Sequence, residues 1–441
     1  MEKYITIIGG GLAGCEAAYQ VAKRGINVKL YEMKPQKFSP AHTNKNLAEI
    51  VCSNSLKSNL ITNACGLLKQ ELRIFDSLLI KIADNVKVPA GQALAVDREK
   101  FAKEVTNTLE KISEQNGYGK IEIIREEVEN IPKNSIVIVA TGPLTSDKLA
   151  NEISKLTGND RLYFYDAASP ILTKESINFN IAFYGDRYGK GDSSYINLPM
   201  DKEQYEKFYT ELINAETVML HNFEKKEIFE GCMPIEIMAK RGIDTLRFGP
   251  LKPVGFTNPK TNLRPYAIVQ LRQDNAKGDL YNMVGFQTNL KYQEQKRVFS
   301  LIPGLENAEY VKYGVMHRNT YINSTKLLDS TYNLKNSDIY FAGQITGVEG
   351  YVESISSGML AGINAANKLL KKEKIVFPKN TMIGALANYI STPSNEFQPM
   401  NVNFGIIEQE VNIKDKKQKY EKIADISLEI CEKMYKKYVQ K

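Results

Sequence analysis

Apolar and polar positions fall into the same rhythm at two places in the chain: a short β-branched run, a glycine turn, then a helix with one apolar side. The first is KYITIIGGGLAGCEAAYQVAKRGINVKLYE, at the N-terminus. Ile5, Ile7 and Ile8 read as a buried strand. The helix from Leu12 onward is amphipathic, and a second strand runs up to Glu32. Gly9 permits a tight bend, Gly11 lets the backbone approach a pyrophosphate, and Gly14 lets the helix pack on the strand. With Gly10, Leu12 and Ala13 they open a helix whose first N–H groups and dipole face an anion. A carboxylate at Glu32 suits a ribose 2′-OH and repels a 2′-phosphate, which argues against NADP. NAD and FAD both satisfy this half of the pattern.

The second occurrence spans residues 337–369, where an apolar run leads through Gly343, Gln344 and Gly347 into a helix with small residues on one face. An acid is absent after this strand, and Gln344 offers an amide to a ribityl hydroxyl instead. Two nucleotide-binding elements at opposite ends of a chain are expected when a long cofactor lies extended across one domain, which favours FAD. Between them, 66–83 has helical spacing. The helix after Val96 carries Asp97 and Glu99 in its first turn. SIVIVATGPLTS at 135–146 is a buried-type strand closing in Ala140-Thr141-Gly142.

The expected fold is α/β: an FAD-binding Rossmann-like domain of the glutathione-reductase type, with an inserted smaller α/β domain and a C-terminal helical extension. The pattern divides the chain into 1–204 and 305–370 for the FAD-binding domain, 205–304 for the insertion and 371–441 for the extension. At 441 residues the chain is too long for one small core. No run approaches the roughly 18 apolar residues of a membrane helix, and the first apolar run leads straight into the glycine turn rather than a cleavage site.

Five scattered cysteines without a CxxC pair, and only three histidines, fit a reducing cytoplasm and argue against a disulfide framework or metal centre. A net charge of +7 is compatible with a polyanionic partner without demanding one. Arg264, Arg272 and Lys291 could meet phosphates or simply face solvent. Cys52, in VCSNSLKSN, has Lys57 nearby to lower a thiol pKa; Cys232, in FEGCMPIE, lies in another loop. Each reads equally as a small buried hydrophobe. Cys15 is expected to pack on the first strand, with Cys65 and Cys431 given no role.

Beyond the glycine turn, EIVCSNSLKS, ATGPLTS, FEGCMPIE, RFGPLKPVG, QLRQDN, NMVGFQTNLK, EQKRVF, IPGLENAEYVKYGVMHRNTYINS and FAGQITGVEGYVES resemble the motifs of the TrmFO family, folate- and FAD-dependent tRNA uracil-5-methyltransferases. The likeness runs from residue 3 to about 370. More distant is MnmG, whose proteins are longer. The resemblance implies methylation of uridine 54 in the tRNA T-loop, with 5,10-methylenetetrahydrofolate as carbon donor, FAD as cofactor and NAD(P)H as electron source. A ribosomal RNA uridine is the alternative substrate, and a small-molecule flavin oxidoreductase a further one. It implies RNA rather than DNA as partner, no membrane, and catalytic roles for Cys52 and Cys232. Cys52 is assigned as nucleophile and Cys232 as base, with the reverse open. His317 and Arg318 are candidate substrate contacts near flavin, folate or RNA, or an ordinary hydrogen-bonded pair at a strand end.

Overall fold

The computed structural model describes residues 4–133, 135–158, 161–189, 194–218, 233–394 and 397–438. Its first unit is built on five parallel strands in the order Ile339–Phe341, Val137–Val139, Tyr4–Ile8, Asn27–Tyr31, Ile121–Ile124. Ile7 pairs with Leu30 on one side and Ile138 on the other, so the opening strand is central. Parallel strands covered on both faces are apolar throughout, which explains the unbroken Val and Ile runs. The chain leaves the central strand toward Asn27–Tyr31 and returns on its other side at Val137–Val139. That reversal opens a crevice at the carboxyl ends of the strands, where Gly9 and Ala140 lie.

The opening helix (Leu12–Ala22) and the long late helix (Tyr351–Leu369) pack closely. A Cβ at Gly358 would stand 2.2 Å from Ala13 O, and one at Gly362 2.8 Å from Ala17 O. The small residues on the late helix are therefore a packing seam that locks the two glycine-turn elements together.

The second unit is a six-stranded antiparallel sheet ordered Phe183–Tyr184, Ile196–Met200, Ala267–Gln273, Leu280–Met283, Ile171–Thr173, Tyr310–Lys312. Lys202–Asn214 covers it, started by a capping box of Asp201 and Gln204. Phe208, Phe286 and Phe299 fill the core beneath, the last two edge-on at 5.3 Å. The sheet reaches from Ile171 to Lys312, beyond the 205–304 read from the sequence. Of its three strands before residue 205, Phe183–Tyr184 pairs locally with Ile196–Met200, but Ile171–Thr173 and the other edge of Ile196–Met200 find partners only after 260, so little local marks where the unit begins. A two-stranded ribbon, Arg161–Ala167 against Met316–Ile322, carries the chain in and out.

The helical stretch at 66–83 divides into Ala64–Ile74 and Leu78–Asn85. Asp76 adopts φ +57 and Ser77 caps the second helix by accepting from Ile80 N, so the Asp-Ser pair is a break. The C-terminal stretch joins the first unit's core. Ile423, Ala424, Ser427, Cys431 and Met434 on Lys416–Tyr438 are buried, and Phe75 sits between Phe377 at 4.8 Å and Tyr435 at 5.8 Å. Glu71 ties these pieces together, accepting from Met382 N (2.7 Å), Ile383 N (2.8 Å) and Ser427 Oγ (2.5 Å).

Candidate active site

The glycine turn is shaped partly by the protein and partly by open space. Gly9 has φ +104, and a Cβ there would lie 2.5 Å from Ala140 O. A Cβ at Gly14 would lie 1.8 Å from Gly9 O. At Gly11 a Cβ would meet nothing within 4 Å. Gly9 and Gly14 are therefore demanded by strand–helix packing, whereas Gly11 keeps clear a space that the protein does not fill. Glu32 accepts from Gly10 N at 3.0 Å and Lys34 N at 2.9 Å, which fixes its carboxylate beside the turn.

Gly9, Gly10, Gly11, Leu12, Ala13 and Glu32 line an open cleft of about 1110 Å³, and Gly343 and Gln344 line the same cleft from the other end of the chain. Gly343 N donates to Ser357 Oγ (2.7 Å), and Gln344 Nε2 to Glu349 Oε1 (2.6 Å). Gly14 and Gly347 serve packing instead. Gly347 has φ +84, and a Cβ on it would press within 2.3 Å of the Phe397 ring. An empty cradle at Gly11, a carboxylate at the strand end and two elements converging on one cleft fit an extended dinucleotide.

The cleft leads to Cys52, since Val51 and Tyr351 both line it. Tyr351 opens the late helix, and its hydroxyl oxygen accepts from Cys52 N (2.9 Å) and Ser53 N (3.1 Å). On the carbonyl side, Arg98 Nη1 donates to Ile50 O (3.1 Å) and Val51 O (3.2 Å), and Lys312 Nζ donates to Val51 O at 3.2 Å. Arg272 donates to Asn54 Oδ1 (3.0 Å) and Ser53 Oγ (2.5 Å). Asn54 Nδ2 in turn donates to Val96 O and Gln273 O. Arg98 also pairs with Asp274 at 2.9 Å, and Asp97 Oδ2 accepts from Ala276 N. The loop Ile50–Asn54 is thus held by side chains of both units, at the place where they meet.

The electrostatics follow from burial. Desolvation pushes the Arg272 and Lys312 pKa values down, with the Arg98 charge adding to the second. Burial and then the Cys52 charge push Tyr351 up, so its hydroxyl stays neutral. Glu49 is held below the usual carboxylate range. Burial opposes this, but the Thr43 N–H and the Lys34 ammonium outweigh it. Burial raises the thiols of Cys15, Cys65 (to about 11) and Cys431, which leaves them inert. Cys15 Sγ points at Gly10 O (3.3 Å), as its place on the first helix suggested.

Several expectations are corrected. Lys57 binds Asn401 Oδ1 and lies 3.8 Å from Glu353 Oε1. Arg272 is buried in the loop clamp and unavailable to an RNA phosphate, while Lys291 pairs with Glu216 at 2.5 Å. Arg264 stays exposed. His317 and Arg318 lie on the ribbon, opposite Asp166 and Tyr165. Their side chains, and all of Cys232, fall outside the described residues. Sequence reading missed Arg98, Tyr351, Asp274 and Lys312, because each acts on a partner far away in the chain. QLRQDN, with Arg272 and Asp274 in one strand-and-turn, was the nearest signal.

Comparisons with known proteins agree with this geometry. The family profile described as Glucose inhibited division protein A matches residues 4–373. The chain is 60% identical to the "Methylenetetrahydrofolate–tRNA-(uracil-5-)-methyltransferase TrmFO" of Acetivibrio thermocellus, over 99% of this chain and 100% of that protein. It is 59% identical to the protein so named from Fusobacterium nucleatum, over 97% and 98%. Among solved structures, GidA of Aquifex aeolicus superposes with a TM-score of 0.69 at 17% identity, covering 99% of this chain and 78% of that one, a likeness of fold.

Proposed function

The chain belongs to the TrmFO family within the wider GidA group, and we propose on that premise that Cys52 and Cys232 carry the thiol chemistry of folate-dependent tRNA uracil-5 methylation. The observation that carries this reading is the continuity of the dinucleotide cleft with the clamped Cys52 loop, through Val51 and Tyr351.

Carbon-5 of uracil is a poor nucleophile. Addition of the Cys52 thiolate to carbon-6 makes the ring an enolate. Carbon-5 then attacks the methylene of 5,10-methylenetetrahydrofolate, forming the new C–C bond as a folate C–N bond breaks. A base, assigned to Cys232, removes the carbon-5 proton, the second folate C–N bond breaks to release tetrahydrofolate and leave an exocyclic methylene, and loss of Cys52 from carbon-6, as that methylene takes up a hydride equivalent, restores the aromatic ring. FAD, reduced by NAD(P)H, supplies when bound the hydride equivalent that brings the one-carbon unit to methyl. Gly9 to Ala13 would hold its pyrophosphate, Glu32 its ribose, and Gly343 and Gln344 its flavin side. The target is uridine 54 of the T-loop, extruded from its stack to expose carbon-6. His317 and Arg318 are assigned to substrate. The enzyme works where tRNA and folate coexist, in the cytoplasm.

The test is product formation. Flavin-loaded protein, methylenetetrahydrofolate and NADH should place 5-methyluridine in unmodified tRNA transcripts; product on ribosomal RNA alone moves the substrate, and none on either RNA ends the reading. Cys52→Ser and Cys232→Ser should each lower turnover by about a thousandfold or more while flavin stays bound. RNA containing 5-fluorouridine cannot lose a carbon-5 proton, so the cysteine that stays attached to it is the nucleophile.

A further inference from the structure

Charge is spread unevenly along the second unit. From Ile237 to Gln273 the sequence carries seven lysines and arginines against a single acid, Asp244, which accounts for nearly all of the chain's net +7. The three most exposed large apolar side chains among the described residues lie in or against the same stretch: Phe248 (79%), Leu263 (69%) and Tyr188 (61%). Cations interleaved with apolar groups left in water suit a nucleic-acid partner. Some of these cations are already engaged. Arg272 belongs to the loop clamp, Lys260 Nζ donates to Phe179 O at 2.6 Å, and the Arg247 guanidinium lies 3.6 Å over the Tyr266 ring. Lys252 and Arg264 are exposed and make no ion pair among the described residues, so both are open to phosphate.

Tyr188 is the member of this group whose setting is built. It adopts φ 61 and ψ 18, a left-handed conformation that a bulky residue holds only when its surroundings impose it. The imposing contacts are plain. Its N–H donates to Gly255 O at 2.7 Å, and the preceding Arg187 donates to Val254 O (2.6 Å) and Lys252 O (3.2 Å). A Cβ on Gly255, itself at φ +86, would lie 2.9 Å from the Tyr188 ring. One part of the ring therefore rests on the glycine and the rest faces water. The loop that carries it closes the hairpin of Phe183–Tyr184 and Ile196–Met200. Ile196 pairs with Leu271, which sets Tyr195 abreast of Arg272, and Arg272 reaches Ser53. Gly91 of the first unit faces the same hairpin, since a Cβ there would stand 3.8 Å from the Tyr195 ring and 3.9 Å from Asp186 Oδ1. The ring is thus carried at the end of the sheet that meets the first unit.

We propose that Tyr188 is a stacking platform for an unpaired base of the substrate tRNA, with Lys252 and Arg264 taking neighbouring phosphates. This rests on tRNA being the substrate. Loops of folded RNA offer bases free to stack on an aromatic face, and a ring already fixed in place loses little freedom in receiving one.

The test measures binding of an unmodified tRNA transcript to flavin-loaded protein by filter retention at several salt concentrations, together with the KM for methylenetetrahydrofolate and the melting temperature. Tyr188→Ala should weaken tRNA binding about tenfold, the loss of one base–ring stack, and leave the salt dependence, the folate KM and the flavin content at the parent's values. Tyr188→Phe keeps the ring and should bind within about twofold of the parent. Tyr188→Gly relieves the left-handed backbone, so it should melt within about 2 °C of the parent yet bind as weakly as Tyr188→Ala. Lys252→Gln and Arg264→Gln should each weaken binding about threefold and lower the log–log salt slope by about one. Parent-like tRNA affinity in Tyr188→Ala and Tyr188→Gly overturns the proposal. So does a raised folate KM at unchanged tRNA affinity, which would assign the ring to folate. Failure of the parent itself to bind tRNA would remove the tRNA reading, a separate failure.

Discussion

The glycine turn and the Cys52 loop border one cleft and are built in opposite ways. The turn is set by its own neighbourhood: Gly9 and Gly14 touch each other, and Glu32 reaches back only 22 residues to Gly10 N. The loop has no such autonomy. It is held by Lys312 and Tyr351, whose contacts span 261 and 299 residues, and by Arg272 at 218. The shape of the opening turn is accordingly specified mostly by a short segment, whereas placement of the Cys52 loop is a property of the whole folded chain. Damage to the second unit should disable the sulfur and spare the flavin.

The hardest test of local autonomy is Gly14→Ala. Its Cβ would overlap Gly9 O at 1.8 Å, and we expect a loss of about 3–5 kcal/mol in unfolding free energy together with loss of bound flavin, read by thermal denaturation and visible absorbance. Non-local holding can be tested by pH at Glu71, whose carboxylate binds partners up to 356 residues away. Burial raises it to about 7, despite the Ser427, Met382 and Ile383 donors that oppose the shift. Between pH 4.5 and 7 the native state keeps a proton that the unfolded chain has lost, so stability should fall as pH rises through that window, by roughly 3 kcal/mol. Glu71→Gln should flatten this dependence, as measured by urea unfolding at several pH values.

Arg272→Gln gives a smaller effect that separates the two regions. It withdraws the charge-assisted bonds to Ser53 and Asn54, and methylation should slow about 10- to 100-fold, with stability down about 2 kcal/mol and flavin content unchanged. Parallel loss of flavin would break the contrast. Gly11→Ala sharpens it most gently. A Cβ there meets open space and the backbone has an ordinary φ of −77, so the flavin-free protein should melt within about 2 °C of the parent. Affinity for FAD should nevertheless fall at least tenfold, as followed by flavin fluorescence titration.

The same contrast decides which parts of the molecule are legible in its amino-acid sequence. The central strands, the glycine turn and the late element at Gly343 can be read there because each is specified by residues a few positions apart. Cys52 is visible from its motif. Its surroundings are not, because the side chains that hold its loop, Arg98, Arg272, Lys312 and Tyr351, all lie far from it in the sequence. Arg272 illustrates the same limit: an arginine in QLRQDN reads as a phosphate contact until the fold buries it. The second unit's extent is hidden for a related reason, since its first strand, Ile171–Thr173, pairs only with Leu280–Met283 and Tyr310–Lys312.

The ribbon through which the chain enters and leaves the second unit has its ends side by side, Ala167 opposite Met316. A tight turn between those two positions would close the first unit without rebuilding a strand or moving the flavin cleft. The fold can thus exchange the whole second unit while inheriting the cofactor platform intact. A transplanted body would have to bring its own arginine and lysine to the Cys52 loop, so descendants of such an exchange would differ first in thiol chemistry and only later in flavin chemistry.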